Sequence, residues 1–227
     1  MSFLDPTVTY SVGVYQTACG CVDIMSHIMD NAYFSTKDEM DMLLRIQEEV
    51  MKTVVKFAPI AIEKPNDYDA RANLMWASSW ALNGFLYDGL RQDAIAHRIE
   101  HELSAYYDIT HGHGLAIIIP RWLKYILNEQ TAPRIKRLGE NVLNIDSSLP
   151  LLDGAEMAIN KLEDFFYTTL GLESRLSQLG ISEENFSRIS EENFSRMAEN
   201  SCGRIRSMSG FTVLEPEDVE KIYRMCL

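Results

Sequence analysis

Histidine is scarce in this chain and its placement is restrictive: of five residues, four lie between His97 and His113, and the fifth, His27, follows Asp23 by one helical turn. Residues four apart on an α-helix stand on one face, about 6 Å from each other along the axis. Asp23 with His27, and His97 with His101, are therefore ready-made donor pairs. Imidazole and carboxylate together suit a borderline divalent ion such as zinc or ferrous iron. Each pair is half a site, so a chain that used both would have to bring two helices distant in sequence face to face. His111 and His113 follow an expected turn, and Gly112 and Gly114 permit a close backbone approach there. Residue chemistry alone thus offers Asp23, His27, one or two of His97 and His101, and one of His111 and His113. A lone i,i+4 histidine pair is more often a coincidence of surface or core. Two clusters, one beside an aspartate inside the apolar stretch CVDIMSHIM, carry more weight, because a carboxylate in that setting needs a cation or hydrogen-bond donors. His101-Glu102 opens HELSA, which lacks the second histidine of a zincin HExxH.

The hydrophobic pattern is helical almost throughout, and the fold class expected is all-α. The first dozen residues, with Pro6 and alternating Thr and Val, read as a short extended N-terminal segment. Helices are expected from Tyr15 to about Phe34 and from a Thr36 cap to Pro59 or Pro65, with Met42, Ile46, Val50 and Val54 on one face. Others are expected over Asp67–Leu82, Asp93–Tyr107, Gly112–Glu129 with a kink at Pro120, Pro133–Leu143 and Asp153–Leu170. The last two lie between Ser182 and Cys202 and after Pro216, where Glu215-Pro216-Glu217-Asp218 is a good start signal.

At 227 residues and 46% hydrophobic content the chain can bury a sizeable core. A net charge of −12 argues against nucleic-acid and anionic-membrane partners. MSFLDPTVTY has no basic n-region, and LAIIIP is cut off by Arg121, so neither a signal peptide nor a membrane span is expected. Four cysteines without a secretory signal read as reduced thiols of a cytoplasmic protein. GxGxxG, GxxxxGK[ST] and GxSxG are all missing, so neither phosphate cradling nor serine chemistry has support.

LDPTVTYSV, YQTACGCVDIMSH, LMWASSWALNG, HRIEHELSAYYDITHGHGLAIIIPRWL and EPEDVEKIYRM together resemble the C-terminal helical domain of iron-containing alcohol dehydrogenases, within the butanol dehydrogenase and NADPH-dependent aldehyde reductase branch. The resemblance implies a multi-helix domain of the dehydroquinate synthase-like type. It also implies a divalent metal, Fe2+ or Zn2+, on Asp23, His27, His97 and His111, with His101 a non-ligand near the nicotinamide that takes part in proton transfer. His113 receives no role from it. NAD(P)H would be the cofactor of the full-length enzyme and a small alcohol or aldehyde its substrate, in a homo-oligomer. Met75, Trp76 and Trp80 are a candidate wall of the substrate pocket. The family's glycine-rich dinucleotide-binding domain has no counterpart here, so residues 1–227 are expected to be a single α-helical metal-binding domain, inactive alone. A non-catalytic helical metal-binding or assembly module is the alternative. A metal-dependent phosphohydrolase fits less well, since such sites use an adjacent His-Asp pair that this chain lacks.

ISEENFSR occupies 181–188 and again 189–196. Both copies begin like a helix, with Ser182 or Ser190 as cap followed by two glutamates. Phe186, Ile189, Phe194 and Met197 fall within one stripe, so one continuous helix from about Ser182 to Cys202 is expected, the second copy keeping the core contacts and the first extending outward.

Overall fold

The computed structural model describes residues 2–36, 40–87, 89–90, 94–181 and 183–227, with backbone only for 183–192. Nine α-helices are found among them: α1 (Val14–Ile28), α2 (Asp41–Glu63), α3 (Tyr68–Leu82), α4 (Ile95–Tyr107), α5 (His111–Ile126), α6 (Ala132–Val142), α7 (Leu151–Glu163), α8 (Glu183–Cys202) and α9 (Pro216–Met225). Their one sheet is a two-stranded antiparallel hairpin, β1 (Met208–Ser209) with β2 (Val213–Leu214). The all-α expectation holds. No helix among the described residues is long and apolar enough to cross a membrane.

α5 is the axis of the molecule. Every residue from Gly112 to Leu123 is buried, and α1, α4, α7 and α9 pack around it. α2 and α3 close the outer side of α1, α6 pairs with α7, and α8 with α9 covers α4. The approach of α5 to α1 is set by Gly112, where a β-carbon would lie 2.2 Å from the Cys19 carbonyl oxygen.

Local chemistry explains most boundaries. Asp67 caps α3 by accepting from the Ala70 amide at 2.9 Å, and Glu215 with Asp218 forms the box that opens α9. α1 does not stop at Ile28 but widens into a π-turn over Met29–Tyr33, and α7 does the same over Asp164–Thr169. α5 runs through Pro120. A proline there gives the carbonyl four residues earlier no amide partner; the Tyr167 hydroxyl, from the second π-turn, donates to that Ala116 oxygen at 2.9 Å instead.

Three sequence expectations change. The N-terminal segment is not extended: Asp5 accepts from the Thr7 amide at 3.0 Å and caps a 3-10 turn over Pro6–Thr9. Proline, which breaks a helix interior, is well suited to a first turn. α2 begins at Asp41 rather than after Thr36, and Asp38 and Glu39 lie outside the described residues. Its end at Glu63, before Pro65, is the later of the two expected. α5 ends at Ile126, three residues early, because the Asn128 side chain accepts from the amides of Gln130 and Thr131 and turns the chain.

α8 is one helix across both copies of the repeat. Ser182 and the side chains of Phe186 and Ile189 lie outside the described residues. In the second copy Phe194 is buried and stacks on Tyr223 at 5.3 Å between ring centroids, and Met197 is buried beside it.

One buried ion pair holds α6 to α2. Glu48, 3% exposed, accepts from Arg137 Nε at 2.6 Å, Tyr33 Oη at 2.8 Å and Asn141 Nδ2 at 3.0 Å. Arg137→Ala leaves this carboxylate buried without its cation, a change that costs about 3 kcal/mol. Urea unfolding is expected to read that loss, and a destabilisation below about 1 kcal/mol would count against it.

Candidate metal centre

Three helices meet at one carboxylate oxygen. Asp23 Oδ1, on α1, lies 3.7 Å from His27 Nε2 on the same helix, 3.8 Å from His97 Nε2 on α4, and 3.5 Å from His111 Nε2 on α5. The His27 and His97 rings are 4.4 Å apart between centroids, and His97 and His111 5.3 Å. Ligands about 2.1 Å from a tetrahedral ion stand about 3.4 Å from one another. The three separations from Asp23 are close to such edges, slightly expanded. Asp23 Oδ1 and His97 Nε2 are shielded from solvent and have no hydrogen-bond partner among the described residues. Buried polar atoms without partners are rare, and two of them 3.8 Å apart are what a cation would satisfy. The donor set fits a divalent ion.

The rings are held from behind. His97 Nδ1 lies 2.9 Å from Asp30 Oδ2, and Asp30 also accepts the backbone amides of Ala96 and His97 at 3.0 and 2.9 Å. His111 Nδ1 is hydrogen-bonded to Glu100 Oε2, and His27 Nδ1 faces Asn31 Nδ2 at 3.2 Å. Asp30 and Glu100 are both buried carboxylates that escaped the sequence reading. A signal for Asp30 existed: it follows Asp23 by seven residues, on the same helical face.

Of the two alternatives left open by HGHG, the structure brings His111 into the cluster and turns His113 away. Residues two positions apart on a helix point about 200° from each other. His113 is buried between α1 and the loop after α7, with Nε2 at 2.9 Å from the Glu173 carbonyl and Nδ1 at 3.1 Å from Tyr15 Oη. His101 stands on the open side of the cluster, its ring 5.1 Å from His111 and 6.0 Å from His97. Asp23, His27 and His97 form one close group of donors and Glu100, His101 and His111 a second; His111 links the two, with Nε2 3.5 Å from Asp23 Oδ1 and Nδ1 on Glu100.

The sequence of this site and the helices that carry it have relatives. Residues 17–227 match the model of the Fe-containing alcohol dehydrogenase family, C-terminal domain. The chain belongs to that family. It is 51% identical over 183 residues, 81% of its length, to NADH-dependent butanol dehydrogenase B of Clostridium acetobutylicum, covering 47% of that protein. It is 33% identical over 183 residues to the NADPH-dependent aldehyde reductase YqhD of Escherichia coli, covering 78% of this chain and 45% of the relative. The crystal structure of NADH-dependent butanol dehydrogenase A from Thermotoga maritima superposes with a TM-score of 0.84 at 32% identity, over 98% of this chain and 55% of that one. The chain thus spans about half the length of the relatives it matches.

Within this Fe-containing alcohol dehydrogenase domain the imidazoles titrate differently. Burial, and then the charge of His97, lowers the pKa of His27; burial, and then His111, lowers that of His101. The hydrogen bond to Glu100 raises that of His111. A raised pKa contributes stability that is present below the unfolded imidazole value and lost as pH rises through the folded one; a lowered pKa contributes stability that is lost as pH falls through it. In the metal-free domain His111→Gln is therefore expected to cost more stability at about pH 6 than at about pH 8.5. Urea titrations showing an equal or reversed difference would contradict this.

The three residues expected to form a pocket wall line two different grooves. Trp76 and Trp80 line a groove of about 460 Å³ between α2 and α3 with Met42, Ile46, Val50 and Ala77, whereas Met75 lines a different groove, against Ile24 and Thr17 of α1. Neighbours on a helix point about 100° apart, so the three side chains cannot share one wall. None of the clustered histidines lines either groove.

Proposed function

We propose that this chain is the metal-holding half of an NAD(P)H-dependent alcohol dehydrogenase or aldehyde reductase, with Fe2+ or Zn2+ on Asp23, His27, His97 and His111. The observation that carries the reading is the pair of partnerless buried atoms, Asp23 Oδ1 and His97 Nε2, 3.8 Å apart with His27 and His111 around them. When bound, such an ion supplies Lewis acidity to an alcohol or carbonyl oxygen, and NAD(P)H the hydride.

The chain's own residues do the rest. Asp23 and the three imidazoles define where the reacting oxygen sits. His101, exposed at the edge of the cluster and with a lowered pKa, is neutral near pH 7 and can take a proton from an alcohol hydroxyl and hand it to solvent. The buried run of α5 behind His111 keeps water from the far side. A small primary alcohol and its aldehyde are the substrate pair, as the names of the butanol dehydrogenase and aldehyde reductase relatives indicate.

Residues 1–227 contain no glycine-rich pyrophosphate turn, and hydride transfer needs the nicotinamide held against the substrate carbon. The purified chain is expected to bind about one divalent ion at this four-ligand site, to show no NADPH-linked reduction of butanal alone, and to gain it when an N-terminal nucleotide-binding domain is supplied. Metal analysis and the coupled assay test both halves of the reading. A chain without metal affinity, or one that reduces butanal unaided, would overturn the corresponding half.

A further inference from the structure

We infer that Asp30 and Glu100 are positioning residues of this centre, each locking one imidazole in the tautomer that turns its Nε2 lone pair toward Asp23. The inference rests on the proposed ligand set and adds what prepares it. An ionised carboxylate only accepts hydrogen bonds. His97 Nδ1, 2.9 Å from Asp30 Oδ2, must then carry the hydrogen, and Nε2 is left with the lone pair. The same holds for His111 Nδ1 on Glu100.

Both carboxylates are held in place by features with no other evident purpose. Asp30 stands in the π-turn that widens the end of α1. From there it reaches the start of α4, where Ala94 is left-handed and supplies no side-chain cap. By accepting the amides of Ala96 and His97 it caps α4 and fixes its own direction before it meets the ring. Glu100 is fully buried, with Oε1 accepting from Ser104 Oγ at 2.5 Å. Its room is made by Gly114, where a β-carbon would lie 2.3 Å from Oε1. His27 differs. Its Nδ1 faces the amide of Asn31 at 3.2 Å, and an amide can present either its oxygen or its nitrogen, so that ring's tautomer is not dictated. Within one site, two imidazoles are thus preset and one is adaptable. A carboxylate behind a ligating histidine also raises its basicity, and loss of such a partner typically costs 10- to 100-fold in metal affinity.

The test uses zinc and the whole chain. Zinc affinity, by competition with a chromophoric chelator, is expected to fall about 10- to 100-fold in Glu100→Leu and in Asp30→Ala. Glu100→Gln, whose Oε1 still accepts from Nδ1, should recover most of it. Nitrogen-15 correlation spectra of the metal-free wild type, at a pH where the rings are neutral, should show the Nδ1–H form for His97 and His111. A purely packing role would move melting temperature but neither the tautomer nor the Glu100→Gln rescue. Folded Glu100→Leu with unchanged zinc affinity, or Nε2–H forms of His97 or His111 in the wild type, would overturn the inference while leaving the ligand set intact. Wild type without zinc affinity would instead bring down the ligand set. Should the truncated variants not fold, the wild-type spectra decide alone.

Discussion

Asp23→Ala is expected to lose roughly 3 kcal/mol of zinc binding, about 100-fold in affinity, taking structural zinc sites at about 10–16 kcal/mol spread over four ligands. Asp23 contributes the one anionic donor, and its Oδ1 is the atom from which all three imidazole nitrogens are measured at 3.5–3.8 Å. The same substitution should leave the metal-free chain within about 1 kcal/mol of wild type, because that oxygen makes no hydrogen bond to be lost. Calorimetric zinc titration paired with urea unfolding separates the two effects. An unchanged affinity, or a metal-free domain that collapses, would show that Asp23 serves the fold instead of an ion.

Gly112→Ala is expected to do the reverse and strike the fold first. The new β-carbon would stand 2.2 Å from the Cys19 carbonyl oxygen and 2.7 Å from its carbon, backbone atoms that cannot rotate aside. α5 must move off α1, and overpacking of this kind reaches the upper end of its range, about 3 kcal/mol, offset by about 1 kcal/mol from the better helix propensity of alanine. Because α1 carries Asp23 and His27 while α5 carries His111, zinc affinity should fall with it. Gly20→Ala, on α1 with nothing within 4 Å of its β-carbon, should by contrast stabilise by about 0.5 kcal/mol. Denaturation midpoints of the two variants in parallel provide the check. Equal tolerance at both glycines would mean that the α1–α5 contact is looser than described.

The legible parts of the sequence were those carried by one helix. Apolar spacing and caps placed α3, α6 and α9 within a residue or two, and the i,i+4 pairs Asp23–His27 and His97–His101 fixed two faces before any tertiary contact was known. His111 could not be told from His113 by local spacing, since the choice depends on how α5 rolls against α1. Asp30 and Glu100 were missed because each acts across a gap between helices: the Asp30–His97 contact spans 67 positions of chain. At Pro120 the sequence shows the missing donor but not the Tyr167 hydroxyl that serves the carbonyl it leaves behind. The N-terminal turn is obscured for a similar reason: Thr-Val alternation hides the short-range reach of Asp5.

The two π-turns make this chain unequally tolerant of changes in length. Each holds one residue more per hydrogen-bonded loop than an α-helix, and each uses that slack to send a side chain to a neighbour: Asp30 to the open end of α4, Tyr167 to the carbonyl left over by Pro120 in α5. Deleting a single residue in Met29–Tyr33 would let the segment relax to ordinary α-helix and swing the residues beyond it by about 100°. α4 would lose its cap and the His97 ring its support in one step. A single deletion in Asp164–Thr169 would do the corresponding damage to α5. α8 meanwhile carries the repeated ISEENFSR along its own axis in one uninterrupted helix, Glu183–Cys202. Length variation among homologues should therefore collect at the start of α8 and avoid both π-turns, even though one inserted octapeptide is a far larger edit than one missing residue.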